Sequence, residues 1–360
     1  MMQWGTFLIT AALPDDDHHE SVQNSLAYAR AAEELGFDDV WVLEHHFTGY
    51  GLCGAPLSMA AWVLAQTKRI KVGSAVSVVP LTHPLRLAEE VALLDNMSSG
   101  RFLFGVGRGL FVKDFKIFGV DMEHNREKLV EAVEICLKAW KGPVAYDGQF
   151  SKFPEVSIFP KIFTKPHPPV YAAVHSTSSV EWAARNGLPL LLSHFQDDAT
   201  RAASVELFSE VASECGYDPN SFDHAISCLA GVGRTDEAVR GPSRERAEWW
   251  QSEFFRATEL FTPENLKMRG YEWYARRWEQ EAITGRYPIA ERIERDFQSN
   301  PIGSVQHCVD VLSKTAEVTG VKHFICAFEA ASAHKGPVLE SMQMFKEEVI
   351  PKVAEPKKRW

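Results

Sequence analysis

The chain has 360 residues, 45% of them hydrophobic and 24% charged, which is the make-up of an ordinary globular protein with ample material for a core. Its formal charge of -10 and pI near 5.7 exclude the basic stripe that a nucleic-acid partner or an anionic membrane surface requires. No run reaches the ~18 apolar residues of a spanning helix, and no basic-then-apolar leader follows Met1.

The cysteines Cys53, Cys136, Cys215, Cys228, Cys308 and Cys326 are scattered without C-x-x-C spacing, which fits thiols in a reducing compartment and predicts a cytoplasmic protein. They form no short Cys/His cluster, so no metal site is expected. The one dense basic cluster, Lys357-Lys358-Arg359, reads as a solvated tail.

In chain order, short apolar, β-branched or aromatic runs stand at 6–10, 40–43, 71–79, 102–106, 170–174, 189–193, 225–232 and 323–328. Stretches of helical period separate them, and that alternation predicts a parallel sheet. Val22, Leu26, Ala29 and Leu35 mark one face of a first helix that stops at Gly36, a residue free to take the left-handed cap conformation. Pro84 suits a first helical turn, with Leu87, Val91 and Leu94 as its stripe. Leu129, Val133, Cys136 and Trp140 follow, then Val205, Phe208 and Val211, then Trp250, Phe254, Ala257 and Phe261. Val305, Val309 and Leu312, and finally Leu339, Met342 and Phe345, complete the series, all read as core stripes. Eight such units predict an α/β fold of the (β/α)8 barrel type, a TIM barrel, over residues 1–360 as a single domain. Two excursions interrupt it, 141–169 and 261–300; both are rich in aromatic residues, and each suits either a lid or a solvated surface loop.

In such a barrel the C-terminal strand tips share one mouth. They would bring together Glu44-His45-His46, Ala75-Val76, Gly107-Arg108, Asp114, His175-Ser176, His194, Trp250 and Glu329. Two imidazoles beside a carboxylate at a strand end suit proton relay, or else a plain structural pair. The segment Phe104-Gly105-Val106-Gly107-Arg108-Gly109 lacks G-x-G-x-x-G spacing, so it is no dinucleotide fingerprint. Its glycines permit either a turn or close approach of a flat ligand. His175-Ser176-Thr177-Ser178-Ser179 follows the fifth run and opens a helix. Hydroxyls and free amides there suit a phosphate or a simple N-cap, with Arg108 and Arg126 as guanidinium partners or ordinary surface pairs.

These blocks, with Gly36-Phe37-Asp38-Asp39-Val40-Trp41, Leu43-Glu44-His45-His46-Phe47-Thr48, Lys113-Asp114-Phe115, Glu181-Trp182-Ala183-Ala184 and Phe328-Glu329-Ala330, resemble the bacterial luciferase family of flavin-dependent monooxygenases, the catalytic α subunit in particular. The resemblance implies a two-component flavoprotein that takes reduced FMN from a separate flavin reductase and oxidises a small organic substrate with O2 through a C4a-peroxyflavin. By the same resemblance His45 is the catalytic histidine, and His46 and Asp114 support the flavin. Arg108, Arg126 and Ser176 contact phosphate, and Trp250 walls the pocket. Ala75-Val76 is a non-prolyl cis peptide under the ring system, and 261–300 is the mobile lid. Glu44 and His46 would orient His45. The resemblance also implies a dimer through the helices near 56–65 and 84–97, as a homodimer or with a different partner chain.

Departures from the luciferase α pattern are equally visible. Gly107 replaces a reactive cysteine, which should open space over one flavin face. His175 replaces a glutamate near the phosphate and could add positive charge there. His194 replaces a tryptophan in the substrate pocket, which shifts expectation away from a long-chain aldehyde. Two alternatives stand beside the monooxygenase reading: a deazaflavin-dependent oxidoreductase of the same fold, and a non-catalytic flavin-binding partner subunit.

Overall fold

A computed structural model of the protein describes residues 1–262, 264–269, 271, 274, 288–332 and 334–357. Its strands are β1 (Gln3–Leu8), β2 (Asp39–Val42), β3 (Lys71–Ser74), β4 (Ser77–Val78), β5 (Phe102–Gly107), β6 (Val144–Asp147), β7 (Lys152–Val156), β8 (Val170–Ala173), β9 (Leu190–Leu192), β10 (Ala225–Leu229), β11 (Gly231–Gly233), β12 (Ile302–Ser304) and β13 (His323–Ala327). The main sheet runs β3-β2-β1-β13-β10-β9-β8-β5-β4, and β3 also pairs with β5, so the sheet closes on itself. Because β4 continues the third strand position after β3, the closed ring has eight parallel positions. This is the (β/α)8 barrel that the sequence predicts.

The helices are α1 (His18–Leu35), α2 (Pro56–Gln66), α3 (Pro84–Ser98), α4 (Val112–Phe118), α5 (Asn125–Lys141), α6 (Thr177–Arg185), α7 (Asp198–Glu214), α8 (Asp236–Thr258), α9 (Ile289–Ser299), α10 (Val305–Thr319) and α11 (Lys335–Met344). Helix α1 begins where the Asp17 carboxylate accepts from the His19 and Glu20 amides, and ends at Gly36 with φ of 73°, the left-handed cap expected of glycine. Alternation along the strands sorts the core into two layers. Val40, Val42, Val72, Phe102, Phe104, Leu190 and Phe324 face the helices, whereas Trp41, Leu103, Tyr171, Leu191, Ala225 and Ile325 fill the barrel interior.

The N-terminal end of the barrel is plugged. Trp41 lies flat on Gly73, where an added Cβ would come within 2.4 Å of the indole. The indole N–H donates to Asp39 Oδ1 at 2.7 Å, and Asp39 also pairs with His323 Nε2 at 3.0 Å. Burial disfavours a charged His323, but the Asp39 charge and hydrogen bond outweigh it and raise its pKa. With that floor closed, the C-terminal end is the one left to admit a ligand.

Boundaries differ from expectation by more than one residue in three places. The first strand starts at Gln3. The run 71–79 divides at the cis peptide Ala75-Val76. The run 225–232 splits into β10, inside the barrel, and β11, which pairs with β12 in a separate parallel ribbon. The excursion 141–169 holds the antiparallel hairpin β6–β7. The excursion 261–300 contains a short turn at Asn265–Lys267 and helix α9. Residues 263, 270, 272–273 and 275–287 of the expected lid, and Lys358 and Arg359 of the basic tail, lie outside the described residues. Among the described residues no helix is long and apolar enough to cross a membrane.

Candidate active site

At the C-terminal end of the strands is a cavity of about 1660 Å³, the open space at its mouth included. Strand tips supply Glu44, His45, Ala75, Val76, Gly107, Arg108, His175, Ser176 and His194; α8 contributes Trp250 and Phe254. Of the residues singled out from the sequence, Asp114, Arg126 and Ser179 also reach it.

Successive side chains at an extended strand end point to opposite sides. His45 therefore faces away from the pair Glu44 and His46, which meet each other at 3.0 Å between Glu44 Oε1 and His46 Nε2. Glu44 Oε2 accepts from the Val78 amide at 2.7 Å. The expectation that Glu44 and His46 orient His45 by direct contact is thus corrected. His45 is held instead by the Tyr50 and Phe111 rings, 5.0 and 4.5 Å away between centroids, and by its own amide, which donates to the Cys53 carbonyl. Burial, with the neighbouring His46 charge, pushes the His45 pKa down to about 3, so its ring is neutral at physiological pH.

His46 behaves oppositely. Burial works against its charged form, yet the hydrogen bond and charge of Glu44 and the charge of Asp114 raise its pKa. Asp114, buried in the first turn of α4, is pushed up to about 7 by burial, with His46 drawing it down and Glu44 adding to the rise. Its Oδ1 has no hydrogen-bond partner among the described residues.

A wall of aromatic rings continues from His45. Tyr50 stacks on Trp250 at 5.0 Å and 14°, and Trp250 stacks on His194 at 6.1 Å and 18°. Phe195 and Phe254 close the same side. Trp250 and Phe254, which the helical stripe suggested as core, are therefore cavity wall.

The opposite end is polar and basic. Ser176 caps α6 by accepting from the Ser179 amide, and Ser179 Oγ accepts from the Ser176 amide, a reciprocal capping box. Arg126 Nη2 donates to the Ser178 carbonyl at 3.0 Å, which holds the guanidinium beside this helix start. The Arg108 guanidinium lies 4.1 Å over the Tyr271 ring, whose hydroxyl donates to the Gly109 carbonyl. His175 is pushed down to about 4 by burial and by Arg108, so the added positive charge expected of it is absent at neutral pH.

The glycines of 104–109 are explained by packing. A Cβ at Gly105 would lie 1.8 Å from the Ser74 carbonyl oxygen, and one at Gly107 would lie 2.4 Å from Val76 Cγ2. The space expected from the missing thiol at Gly107 is thus occupied by Val76.

Three expected residues fall outside the cavity lining. His46, paired with Glu44 Oε1, does not line the cavity, although Glu44 itself does. Thr177 is exposed at the α6 start and does not line the cavity. Glu329 is buried behind the wall in the turn Phe328–Ala330, where its Oε2 accepts from the Thr10 amide at 2.9 Å and its carbonyl accepts from Arg246 Nε at 2.7 Å. Sequence reading missed Tyr50, Phe111, Tyr271, Tyr274, Ser193 and Ser227, all of which line the cavity. Alternation within β10 would have placed Ser227 inward; Tyr50, Phe111 and Tyr271 come from turns and loops, where no period marks an inward face.

Burial pushes the Glu329 carboxyl up to about 7, against the lowering effects of Arg246 and the Thr10 and Ile9 amides. A folded pKa raised above the unfolded value favours the protonated acid, so this contribution is full below about pH 4 and is lost as pH rises through 7. Wild-type stability is expected to fall between pH 5 and 8 by on the order of 2 kcal/mol relative to Glu329→Gln. Urea melts of both proteins at the two pH values measure that difference; parallel changes would dismiss it.

Residues 2–323 match the family model described as luciferase-like monooxygenase. The chain belongs to this family. As a luciferase-like monooxygenase it is an enzyme, and it is 37% identical over 352 residues to the alkanal monooxygenase alpha chain of Photorhabdus laumondii subsp. laumondii, covering 97% of each. Among solved structures, the monooxygenase RslO1 from Streptomyces bottropensis matches with a TM-score of 0.83 at 24% identity, over 98% of this chain and 100% of that one. The oxygenating constituent of 3,6-diketocamphane monooxygenase from Pseudomonas putida, a type II Baeyer-Villiger monooxygenase in complex with FMN, matches with a TM-score of 0.80 at 19% identity, over 99% and 100%.

Proposed function

We propose that this luciferase-like monooxygenase binds reduced FMN, delivered by a separate reductase, together with O2, and oxidises a small organic substrate in the cavity. The observation that carries the reading is that one cavity joins a sheltered aromatic wall ending in a neutral imidazole to a basic, hydroxyl-rich helix start. Those two ends fit the two ends of FMN. Gly107 and the Ala75-Val76 edge would receive the flat ring system; Ser176, Ser179, Arg108 and Arg126 would hold the phosphate. FMN bound in the similar Pseudomonas putida structure, and the monooxygenase activity of all three similar proteins, support this assignment.

When bound, reduced FMN supplies the electrons that activate O2 for transfer of one oxygen atom to the substrate. The chain supplies the surroundings. Phe111, Tyr50, Trp250 and Phe254 exclude water from the reacting face. His45 Nδ1 or Nε2, neutral and open to the cavity, accepts or returns a proton there. Glu44, His46 and Asp114 form a titratable cluster beside it that sets the local field. Leu93 and Met97, 49% and 60% exposed and one turn apart on α3, support a further part of the proposal: two chains pair through α2 and α3, here as a homodimer.

Stopped-flow mixing of protein and photoreduced FMN with aerated buffer tests the reading: the protein is expected to delay the return of oxidised-FMN absorbance. Identical traces with and without protein would sink it. The phosphate end has its own test. Arg126→Ala is expected to weaken reduced-FMN binding by about tenfold or more, while reduced riboflavin, which lacks the phosphate, binds both proteins alike. An equal loss for both flavins would remove Arg126 from phosphate binding.

A further inference from the structure

Two imidazoles of the cavity, among the described residues, have ring nitrogens with no hydrogen-bond partner. His45 is one; His194, just beyond β9, is the other. The one hydrogen bond His194 makes among the described residues is through its backbone N–H, donated to Ser227 Oγ at 3.2 Å. Like His45, it is held neutral, its pKa pushed down to about 3 by burial and then by Arg201, Arg292 and His175. The two rings stand at opposite ends of the aromatic wall, His45 against Tyr50 and His194 against Trp250.

The wall has a definite shape. Tyr50, Trp250 and His194 lie within 14° and 18° of parallel in consecutive pairs, and Phe195 packs 4.1 Å from His194. Because these rings stack on one another, a ligand beside the row meets ring edges, and a flat aromatic ligand gains edge-to-face contacts there that a flexible alkyl chain does not. Polarity at the His194 end is equally definite. A neutral imidazole carries one donor and one acceptor. A hydrocarbon that displaces cavity water leaves both unpaired, whereas a ligand oxygen restores a partner. Ser193 and Ser227 line the same end, and Trp250 Nε1 is a buried donor that also has no partner among the described residues.

We propose that His194 is the specificity-determining residue, and that the cavity takes a flat cyclic or aromatic compound bearing a ketone or phenol oxygen, seated on the Tyr50–Trp250 row with that oxygen at His194. The inference rests on the reading that this cavity is the substrate site of a flavin monooxygenase, and names the substrate class for it.

The test compares 1-tetralone with tetralin, two bicyclic probes of similar outline that differ in the ketone oxygen. Binding of each to the full-length protein is measured by titration calorimetry, with no flavin present. Wild type is expected to favour the ketone by on the order of tenfold. His194→Phe keeps a flat ring without nitrogens, and its preference is expected to fall to near one while tetralin affinity holds. His194→Gln keeps a donor and an acceptor and is expected to retain the preference. Should His194→Phe fail to fold by circular dichroism, His194→Ala takes its place with the same expected loss of preference. A wild-type ratio near one, no binding of either probe, or a ratio unchanged in His194→Phe overturns the proposal. Reduced-FMN binding by the same wild-type preparation is read separately: its absence would end the flavin reading, while its presence beside a flat probe ratio would end only this one.

Discussion

His45→Ala should bind reduced FMN within about twofold of wild type yet form product about 10²–10⁴-fold more slowly, the range lost when a positioned proton-transfer group is removed. The geometry separates the two effects. His45 stands at the aromatic end of the cavity, against Tyr50 and Phe111, whereas Ser176, Ser179 and Arg126 stand at the end assigned to phosphate. The same variant should continue to consume O2 when reduced FMN is supplied, with hydrogen peroxide in place of product. Single-turnover product analysis alongside peroxide detection measures both, and wild-type product yield would remove His45 from the proposed role. The pH dependence adds a second signature. With its pKa pushed down to about 3, His45 is already unprotonated across the working range. An inflection near pH 7 that belongs to Asp114, pushed up to about 7, should vanish in Asp114→Asn, whereas one that belongs to Glu329, also pushed up to about 7, should survive that change and vanish in Glu329→Gln.

The barrel was legible because its signals are local. Eight apolar runs and the helical stripes between them follow from strand and helix periods, and Gly36 and Pro84 mark a helix end and a helix start by backbone chemistry alone. Strand β12 was not legible, because three residues, Ile302–Ser304, carry no period. Much of the site was legible for a topological reason: in a parallel barrel every strand tip reaches one mouth, so His45, Gly107, His175 and His194 could be grouped from far-apart positions. What sequence could not supply was direction. Glu329 stands at a strand end like the others, but the turn at Phe328–Ala330 carries its carboxylate under Thr10. Tyr271 reaches Arg108 from an excursion, and its place depends on tertiary packing that no spacing encodes. The partnership of Glu44 with His46 in place of His45 follows from strand alternation, a rule available from the sequence that the adjacency of three titrating residues obscured.

Gly107→Cys is expected to destabilise the protein by about 1–3 kcal/mol and to weaken reduced-FMN binding at the same time. A Cβ at this position would lie 2.4 Å from Val76 Cγ2 and 3.2 Å from Val76 Cβ, so contact with the branch point leaves little to be gained by rotating the side chain. Valine is stiff at χ1, and it belongs to the short segment between β3 and β4 that lines the cavity. Relief must therefore come from moving the backbone edge on which the flat ligand is proposed to rest. Val76→Ala removes both γ carbons and should make room. Paired with Gly107→Cys it is expected to recover part of the lost stability, with a coupling of about 1 kcal/mol or more between the two sites. Urea denaturation of the wild type, both single variants and the double variant closes that cycle, and flavin titrations on the same four proteins show whether affinity follows. If Gly107→Cys costs the same with valine or alanine at position 76, the steric link between these residues is wrong, and the glycine is then required by something other than its neighbour.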